Sequence, residues 1–437
     1  KWRFVQTANV DPAVRADSLP TAIFQQGLAY AIAHEVGHTL GLEHNMAASA
    51  AFATDSLRNA AFTRKYGTTP SIMDYARFNY VAQPGDKGVR LTPPELGEYD
   101  YFAIDWNYRY YPQYAGKFDD ETKAIEAMTD KAVKNPHLRF MPTQSRIIDP
   151  TVVAEDLGND PIKAAEYGKK NLAGIQRNLA TWIKNDDDSR KKQELNLAIA
   201  KQYHLYFKNV LNLVGGIVCN TAKANTGVPP YKVLPKARQR EAFLWTLKEV
   251  KNFTDHADRK AERKDYMAVS YYDQLLEFLI RDLFNSRARV IMAQTLDPKS
   301  YTLREYFDDL YGQVFASTIA GRTPTHIEQL LEQTFLNQAE AAVSGGASKA
   351  APTVPTALAG SDATDLYFDL VNRFGTVPTE LKDQLFTENV QFGNPAQSPY
   401  PTFSISSHDN SDLYYQAALV KLRPVMARRA ASAGTPY

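Results

Sequence analysis

The sequence predicts a mainly α-helical protein made of a small N-terminal subdomain, residues 1–117, and a large helical region, residues 118–437. Three observations lead to this fold class. Apolar residues recur three and four positions apart in most segments, which is the period of a helix with one buried face. Helix start signals precede several of these segments. The N-terminal subdomain has room for few strands, and Trp2–Thr7 is the one that we predict.

Two long helices are predicted in the N-terminal subdomain, besides a weak helix near Asp55–Tyr66. The first runs from about Thr21 to Leu40, and we expect its apolar face in the core. That face is formed by Ile23, Phe24, Leu28, Ile32, Val36 and Leu40. The second helix runs from Pro93 to Asn107 and leads into the aromatic run Tyr108–Tyr114. Clustered aromatic residues are more often core than substrate-binding surface, so we expect this run to be buried.

The region from residue 118 onward is predicted as a series of helices. Asp160 is an N-cap residue followed by proline at the first helical position. Thr302–Glu305 has the sequence of a capping box. Residues 339–363, rich in Ala, Ser, Gly, Thr and Pro, predict a flexible loop, and the last helix spans about Ser411–Ala430. No chemical motif is found in this region, so its function is not predicted.

A stretch of eleven residues near the start, HEVGHTLGLEH, has the pattern of a zinc site. His34 and His38 lie one helical turn apart on the same face, so both rings can reach one metal ion. Gly41 can adopt the left-handed conformation that ends a helix, after which His44 can supply a third nitrogen. Glu35 points partly toward the same cleft. Three neutral ligands leave a fourth position open for water, the arrangement of catalytic zinc.

A second motif, SIMDY, follows at Ser71–Tyr75. With these two motifs the chain resembles the metzincin clan of zinc endopeptidases, in which a methionine-containing turn lies beneath the metal. Met73 falls on the turn methionine, and Tyr75 falls where some branches carry a tyrosine that binds zinc or steadies the transition state. Asn45, after the third histidine, is neither the glutamate of astacins nor the aspartate of adamalysins. The sequence around both motifs is most similar to that of a group of bacterial zinc-dependent metalloproteases, over roughly residues 1–115.

The resemblance implies a zinc-dependent endopeptidase with a peptide or protein substrate. It implies Zn²⁺ as the cofactor, bound by His34, His38 and His44. It assigns Glu35 as the general base that takes a proton from water and passes it to the leaving amine. It assigns Tyr75 as a donor to the oxyanion. Gly41 and Met73, described above, are expected to support the site without touching the substrate.

The resemblance also implies that part of the cleft is missing from this chain. A metzincin places a twisted sheet before the zinc helix, whereas 33 residues precede His34 here. We therefore expect a truncated metzincin-like subdomain, whose upper sheet is supplied by an upstream segment of the same precursor. We expect an exported protein (periplasmic, cell-surface or secreted), although the chain shows no signal peptide.

Composition excludes several other functions. The formal net charge is +1, which gives no reason to expect nucleic acid as a partner. No apolar run approaches 18 residues, so we expect no membrane span. Cys219 is the single cysteine, so an internal disulfide bond is impossible.

Three alternatives to an endopeptidase remain open from the sequence. The same site could act as a zinc amidase on a non-peptide or cell-wall substrate. The protein could be a binding protein with a vestigial zinc site, although the presence of Glu35 and Tyr75 argues against decay. The zinc could be structural, closed by a fourth protein ligand.

Overall fold

The computed structural model describes residues 2–15, 20–92, 94–184, 190–253, 271–343 and 409–432. These residues are mostly helical, so the predicted mainly α fold is confirmed. Their strands form one antiparallel pair, β1 (Ile217–Cys219) and β2 (Tyr231–Val233), with Ile217 opposite Val233.

The helices of the described residues are numbered in chain order as follows: α1 Trp2–Thr7, α2 Thr21–Thr39, α3 Ala60–Tyr66, α4 Glu98–Tyr108, α5 Phe118–Ala132, α6 Pro161–Trp182, α7 Arg190–Leu211, α8 Lys236–Lys251, α9 Tyr271–Asn285, α10 Arg287–Leu296, α11 Leu303–Val314, α12 Ala316–Ile319, α13 His326–Val343 and α14 Ser411–Ser432.

The chain divides into two compact units. The first comprises Lys1–Ala261 and Ser286–Leu310, and the second comprises Glu262–Asn285 and Tyr311–Tyr437. In the first unit α6 and α7 pack along each other, with α1 against both and α8 against α7. In the second unit α13 packs against α14, where the rings of Phe335 and Tyr415 meet edge to face. The predicted division at residue 117 stays a prediction.

The segment predicted as a strand, Trp2–Thr7, is a helix, so that prediction was wrong. Phe4 and Val5 are buried, and Phe4 meets the ring of Trp182 edge to face at 6.3 Å. The Gln6 side-chain amide donates a hydrogen bond to Gln202 on α7. Six residues are too few for periodicity to separate a helix from a strand. A helix satisfies its own backbone groups, whereas a strand needs a neighbouring strand.

The helix predicted over Thr21–Leu40 is present as α2, but its predicted core face points to solvent except at the half-buried Ile23. Its apolar stripe is 39–60% exposed and consists of Phe24, Leu28, Ile32, Val36 and Leu40. The opposite side faces the protein, with His34 and Gly37 buried. Apolar and small residues occur on all sides of α2, so periodicity alone does not select the buried face.

The helix predicted over Pro93–Asn107 is present as α4, but it begins at Glu98 rather than Pro93. The aromatic residues around its end were predicted to be core, and that prediction was wrong. Tyr108 and Tyr110 are exposed, while Tyr111 and Tyr114 are half-buried. The Tyr108 hydroxyl donates to the Leu40 carbonyl at the end of α2, which fixes this ring at the surface instead of in the core.

The cap signals of the helical region form as predicted. Asp160 accepts a hydrogen bond from the Lys163 amide at the start of α6. Thr302 and Glu305 bond reciprocally at the start of α11. The prediction of a loop over residues 339–363 is wrong for residues 339–343, which form the last turn of α13, where the Ala- and Glu-containing sequence continues the helix. The rest of that prediction lies outside the described residues. None of the described helices is long and apolar enough to cross a bilayer.

Candidate metal centre

The three predicted ligands meet at one point. His34, His38 and His44 each offer a ring nitrogen, and these atoms all lie within 4.8 Å of one another. The Nε2 atoms of His38 and His44 are 3.1 Å apart. His34 is buried and the other two residues are half-buried, so the cluster is partly accessible to solvent.

The turn after α2 brings the third histidine to the first two. The Gly41 amide donates to the His38 carbonyl at 2.9 Å, and the Leu42 amide donates to the Gly37 carbonyl at 3.0 Å. These bonds close the helix end while Gly41 adopts a φ of +79°, a conformation that L side chains rarely adopt. The chain reverses there, and His44 returns toward the helix.

The outer nitrogens of two rings are fixed by backbone carbonyls. His34 Nδ1 bonds to the Ile72 carbonyl, and His38 Nδ1 bonds to the Leu42 carbonyl, both at 2.8 Å. Because a carbonyl only accepts, each Nδ1 carries the hydrogen, and each Nε2 then offers a lone pair. Second bonds of this kind are typical of metal-binding histidines. The residues present therefore fit a zinc ion.

The protonation state of the rings suits coordination as well. Burial lowers the pKa of His34 below its usual value. Burial and the neighbouring rings of His38 and His34 lower the pKa of His44 to about 4. A metal ligand must be neutral, so the surroundings of these rings favour the form that binds a cation.

The methionine turn lies directly under α2. Met73 is fully buried, and its sulfur occupies the space beside Gly37, where an added Cβ would lie 2.4 Å from Sδ. The Asn45 amide donates to the Met73 carbonyl at 3.1 Å, which joins the ligand loop to the turn. Gly37 was missed by sequence reasoning because the motif leaves its position unspecified.

Asp100 on α4 forms hydrogen bonds with the first residues of the same turn. Its carboxylate accepts hydrogen bonds from the Ser71 hydroxyl at 2.7 Å and from the Ile72 amide at 2.8 Å. Since the Ile72 carbonyl orients His34, Asp100 acts on the ligand through the backbone of one residue, Ile72. Burial raises the pKa of Asp100 above its usual value, and the hydrogen bonds that it accepts oppose the rise. No sequence signal marked this residue.

Of the two predicted catalytic residues, Tyr75 packs against two ligand rings, and Glu35 follows the first ligand on α2. The Tyr75 ring centre is 5.4 Å from that of His34 and 4.5 Å from that of His44. Tyr75 is half-buried, whereas Glu35 is exposed on α2 next to the first ligand. The structure thus brings all predicted site residues into one region, and their roles stay predictions.

An apolar cavity of about 370 Å³ lies behind the ligand loop. Its walls include Leu42 of the loop, Tyr99 and Trp106 of α4, and Val133 after α5. Leu42 and Tyr99 also belong to the core cluster that contains Met73. Sequence reasoning did not find this cavity because its walls come from separate parts of the chain.

Comparison with known proteins agrees with this geometry. The model of a family described as Met-zincin matches residues 16–321, which is more than two thirds of the chain. No curated protein and no solved structure matches the chain. The chain therefore belongs to the Met-zincin family.

Proposed function

We propose that this protein is a zinc-dependent endopeptidase. The observation that carries the proposal is the meeting of His34, His38 and His44, two of them oriented by backbone carbonyls, in a chain of the Met-zincin family. The three rings would hold the zinc through their inward nitrogens. When bound, zinc supplies Lewis-acid chemistry that makes a water molecule more acidic and polarises a carbonyl group.

Glu35 acts as the general base in this proposal. Its carboxylate is exposed to solvent and adjoins His34, so water and substrate have access to it. It accepts a proton from the attacking water and later donates that proton to the leaving amine. The side chain needs no change of position between these two steps if water and amine occupy the same side of the scissile bond.

Tyr75 acts as a hydrogen-bond donor. Its ring packs against both His34 and His44, which holds the phenol beside the metal centre. Its hydroxyl donates to the oxyanion that forms on the substrate carbonyl. Removing one such donor from an acyl-transfer site costs about 10²–10³ in turnover.

We also propose that an upstream segment of the same precursor completes the cleft. The support is the apolar stripe of α2 described above, which lies on the helix that carries Glu35. Scattered apolar residues are normal on a surface, but a continuous stripe of five along one helix is typical of a covered face. The substrate would pass between this covering segment and the ligand loop. Export from the cell stays a prediction.

The test is metal analysis followed by cleavage of an unbiased peptide library. We expect one zinc per chain and cleavage that stops when a chelator removes the metal. A panel of glycan-linked amides is assayed in parallel because a zinc amidase would use the same residues. Zinc-loaded protein that cleaves neither peptides nor amides would refute a hydrolytic role, and cleavage of the amides alone would replace the peptidase with an amidase.

A further inference from the structure

Two buried carboxyl groups behind the methionine turn have no part in the proposed reaction. Asp74 follows Met73 and is 0% exposed, and Asp156 is 3% exposed. Ser49 joins them although Asp156 is more than 100 positions away from it. The Ser49 amide donates to Asp74 Oδ2 at 2.5 Å, and the Ser49 hydroxyl donates to Asp156 Oδ1 at 2.6 Å.

The charge of this pair is not balanced by a basic side chain. Within the described part of the chain, no Lys, Arg or His forms an ion pair with Asp74 or Asp156. The nearby arginines pair elsewhere: Arg77 with Glu155, and Arg139 with Asp149 at 2.7 Å. Two adjacent buried carboxylates that are both ionised and have no basic side chain as a partner are strongly unfavourable. One proton held between them removes most of that cost.

The hydrogen-bond capacity of Ser49 leads to the same conclusion. Its hydroxyl contacts Asp74 as well as Asp156. A hydroxyl has one hydrogen to donate and lone pairs to accept. It can therefore serve one carboxylate as a donor, and its contact with the other is favourable only when that carboxyl group carries a proton.

The electrostatic surroundings favour a retained proton. Burial raises the pKa of Asp74 to about 7, against the effect of its hydrogen bonds with Ser49. Burial, and then the charge of Asp74, raises the pKa of Asp156 well above its usual value. Other titratable groups surround the pair: Tyr30 interacts with Asp74, and Tyr80 and Asp149 interact with Asp156. Tyr75, Arg77 and Glu155 lie around Tyr30.

The pair is well placed to hold the site. The backbone carbonyl of Asp74 accepts a hydrogen bond from Tyr30 of α2 at 2.9 Å. The carbonyl of Ser49 accepts from the Gly158 amide at 3.0 Å, in the segment that carries Asp156. The methionine turn is thus fastened on one side to the metal-binding helix and on the other to residues 156–158. Tyr75 is the next residue along the turn.

We propose that Asp74 and Asp156 share one proton through Ser49, and that Asp156 is thereby a positioning residue for Tyr75. The effect on turnover rests on the proposed function, whereas the shared proton does not. Loss of the proton at high pH places two like charges in a buried site. The turn then loosens, and the Tyr75 phenol leaves its position beside the metal centre.

The test compares Asp156→Asn with Asp156→Ala in the full chain. Asparagine keeps the shape and hydrogen bonds of a protonated carboxyl group, whereas alanine removes the bridge. We expect Asp156→Ala to lower kcat about 10- to 100-fold with little change in KM, because displacement of a catalytic group by about 1 Å has effects of this size. We expect Asp156→Asn to restore kcat and to shift or abolish its fall at alkaline pH. Equal kcat in both variants and the parent, or equal losses, would overturn the positioning role.

A second readout needs no activity. Burial raises the pKa of both groups, that of Asp74 to about 7, so the parent loses stability as pH rises from the ordinary aspartate range through about 7. The urea midpoint of the parent should therefore fall more steeply between pH 5 and 8 than that of Asp156→Asn. Parallel curves would show that no proton is shared. This stability measurement does not depend on activity. A parent protein that cleaves nothing would refute the proposed function, and the urea curves would still test the shared proton.

Glu249 provides the matched control. It is buried, and it bonds Lys169 and Tyr203 away from the methionine turn. Glu249→Gln should change the urea midpoint without changing the pH dependence of kcat. If Glu249→Gln changed the pH dependence of kcat as much as Asp156→Asn does, the effect would belong to any buried carboxyl group. The proposal would then fail.

Discussion

Substitution of Gly37 by alanine tests how tightly the methionine turn packs under α2. An added Cβ would lie 2.4 Å from Met73 Sδ and 3.3 Å from Met73 Cε, well inside contact distance. Met73 is fully buried, so its side chain has little room to retreat. Any movement of the turn also displaces the Ile72 carbonyl that orients His34.

The net effect is a difference between two terms. Replacing glycine by alanine inside a helix favours folding by about 0.5–1 kcal/mol. Overpacking a tightly filled core costs about 1–3 kcal/mol. We therefore expect Gly37→Ala to lower the free energy of unfolding by about 0–2.5 kcal/mol. Zinc affinity should fall as well, about 10- to 100-fold, as in other sites where a ligand loses its outer hydrogen bond.

Gly27 on the same helix is the control. No atom lies within 4 Å of the position of its Cβ. Gly27→Ala should therefore raise the free energy of unfolding by about 0.5–1 kcal/mol and leave zinc affinity unchanged. Urea unfolding of the metal-free proteins and competition with a zinc-binding dye measure both quantities. If Gly37→Ala stabilises the protein as much as Gly27→Ala does, with normal zinc affinity, the packing of Met73 under the zinc helix is not as described.

Three further substitutions test the ligand turn and its neighbours. Gly41→Ala should destabilise the protein by about 1–2 kcal/mol through backbone strain, because φ is +79° at this position. No atom lies within 4 Å of the Cβ position, so no clash contributes. An unchanged urea midpoint would contradict this expectation. His44→Ala should lower zinc affinity by more than the 10–100-fold typical of a lost outer hydrogen bond, and full zinc retention after dialysis would remove it from the ligand set. Tyr75→Phe should keep zinc but lower kcat about 10²–10³-fold, and kcat equal to that of the parent would exclude the phenol as an oxyanion donor.

The site could be predicted from the sequence because its spacing is local. His34, His38 and Glu35 lie within five positions, and Gly41 places His44 by a single turn, so residue order alone nearly determines the geometry. The methionine turn was predicted through resemblance rather than physics. Nothing in the sequence SIMDY requires the sulfur to fill the space beside the zinc helix.

The orientation of α2 could not be predicted in the same way. Its sequence carries apolar residues both on the stripe that includes Phe24 and Ile32 and on the side that includes Tyr30. The buried side is selected by contacts with the methionine turn, which periodicity does not describe. The bridge from Asp74 through Ser49 to Asp156 was missed for a related reason, since it joins three segments that are distant in the chain.

The central claim is that three imidazoles hold a zinc ion while Glu35 moves the proton in hydrolysis. Glu35→Gln keeps the size of the side chain and removes its basicity. The most direct test therefore measures zinc content and cleavage of the peptide library for this variant and for the parent. We predict equal zinc content and a loss of cleavage of about 10²-fold or more, the usual contribution of a general base. Cleavage as fast as that of the parent, at equal zinc content, would contradict it.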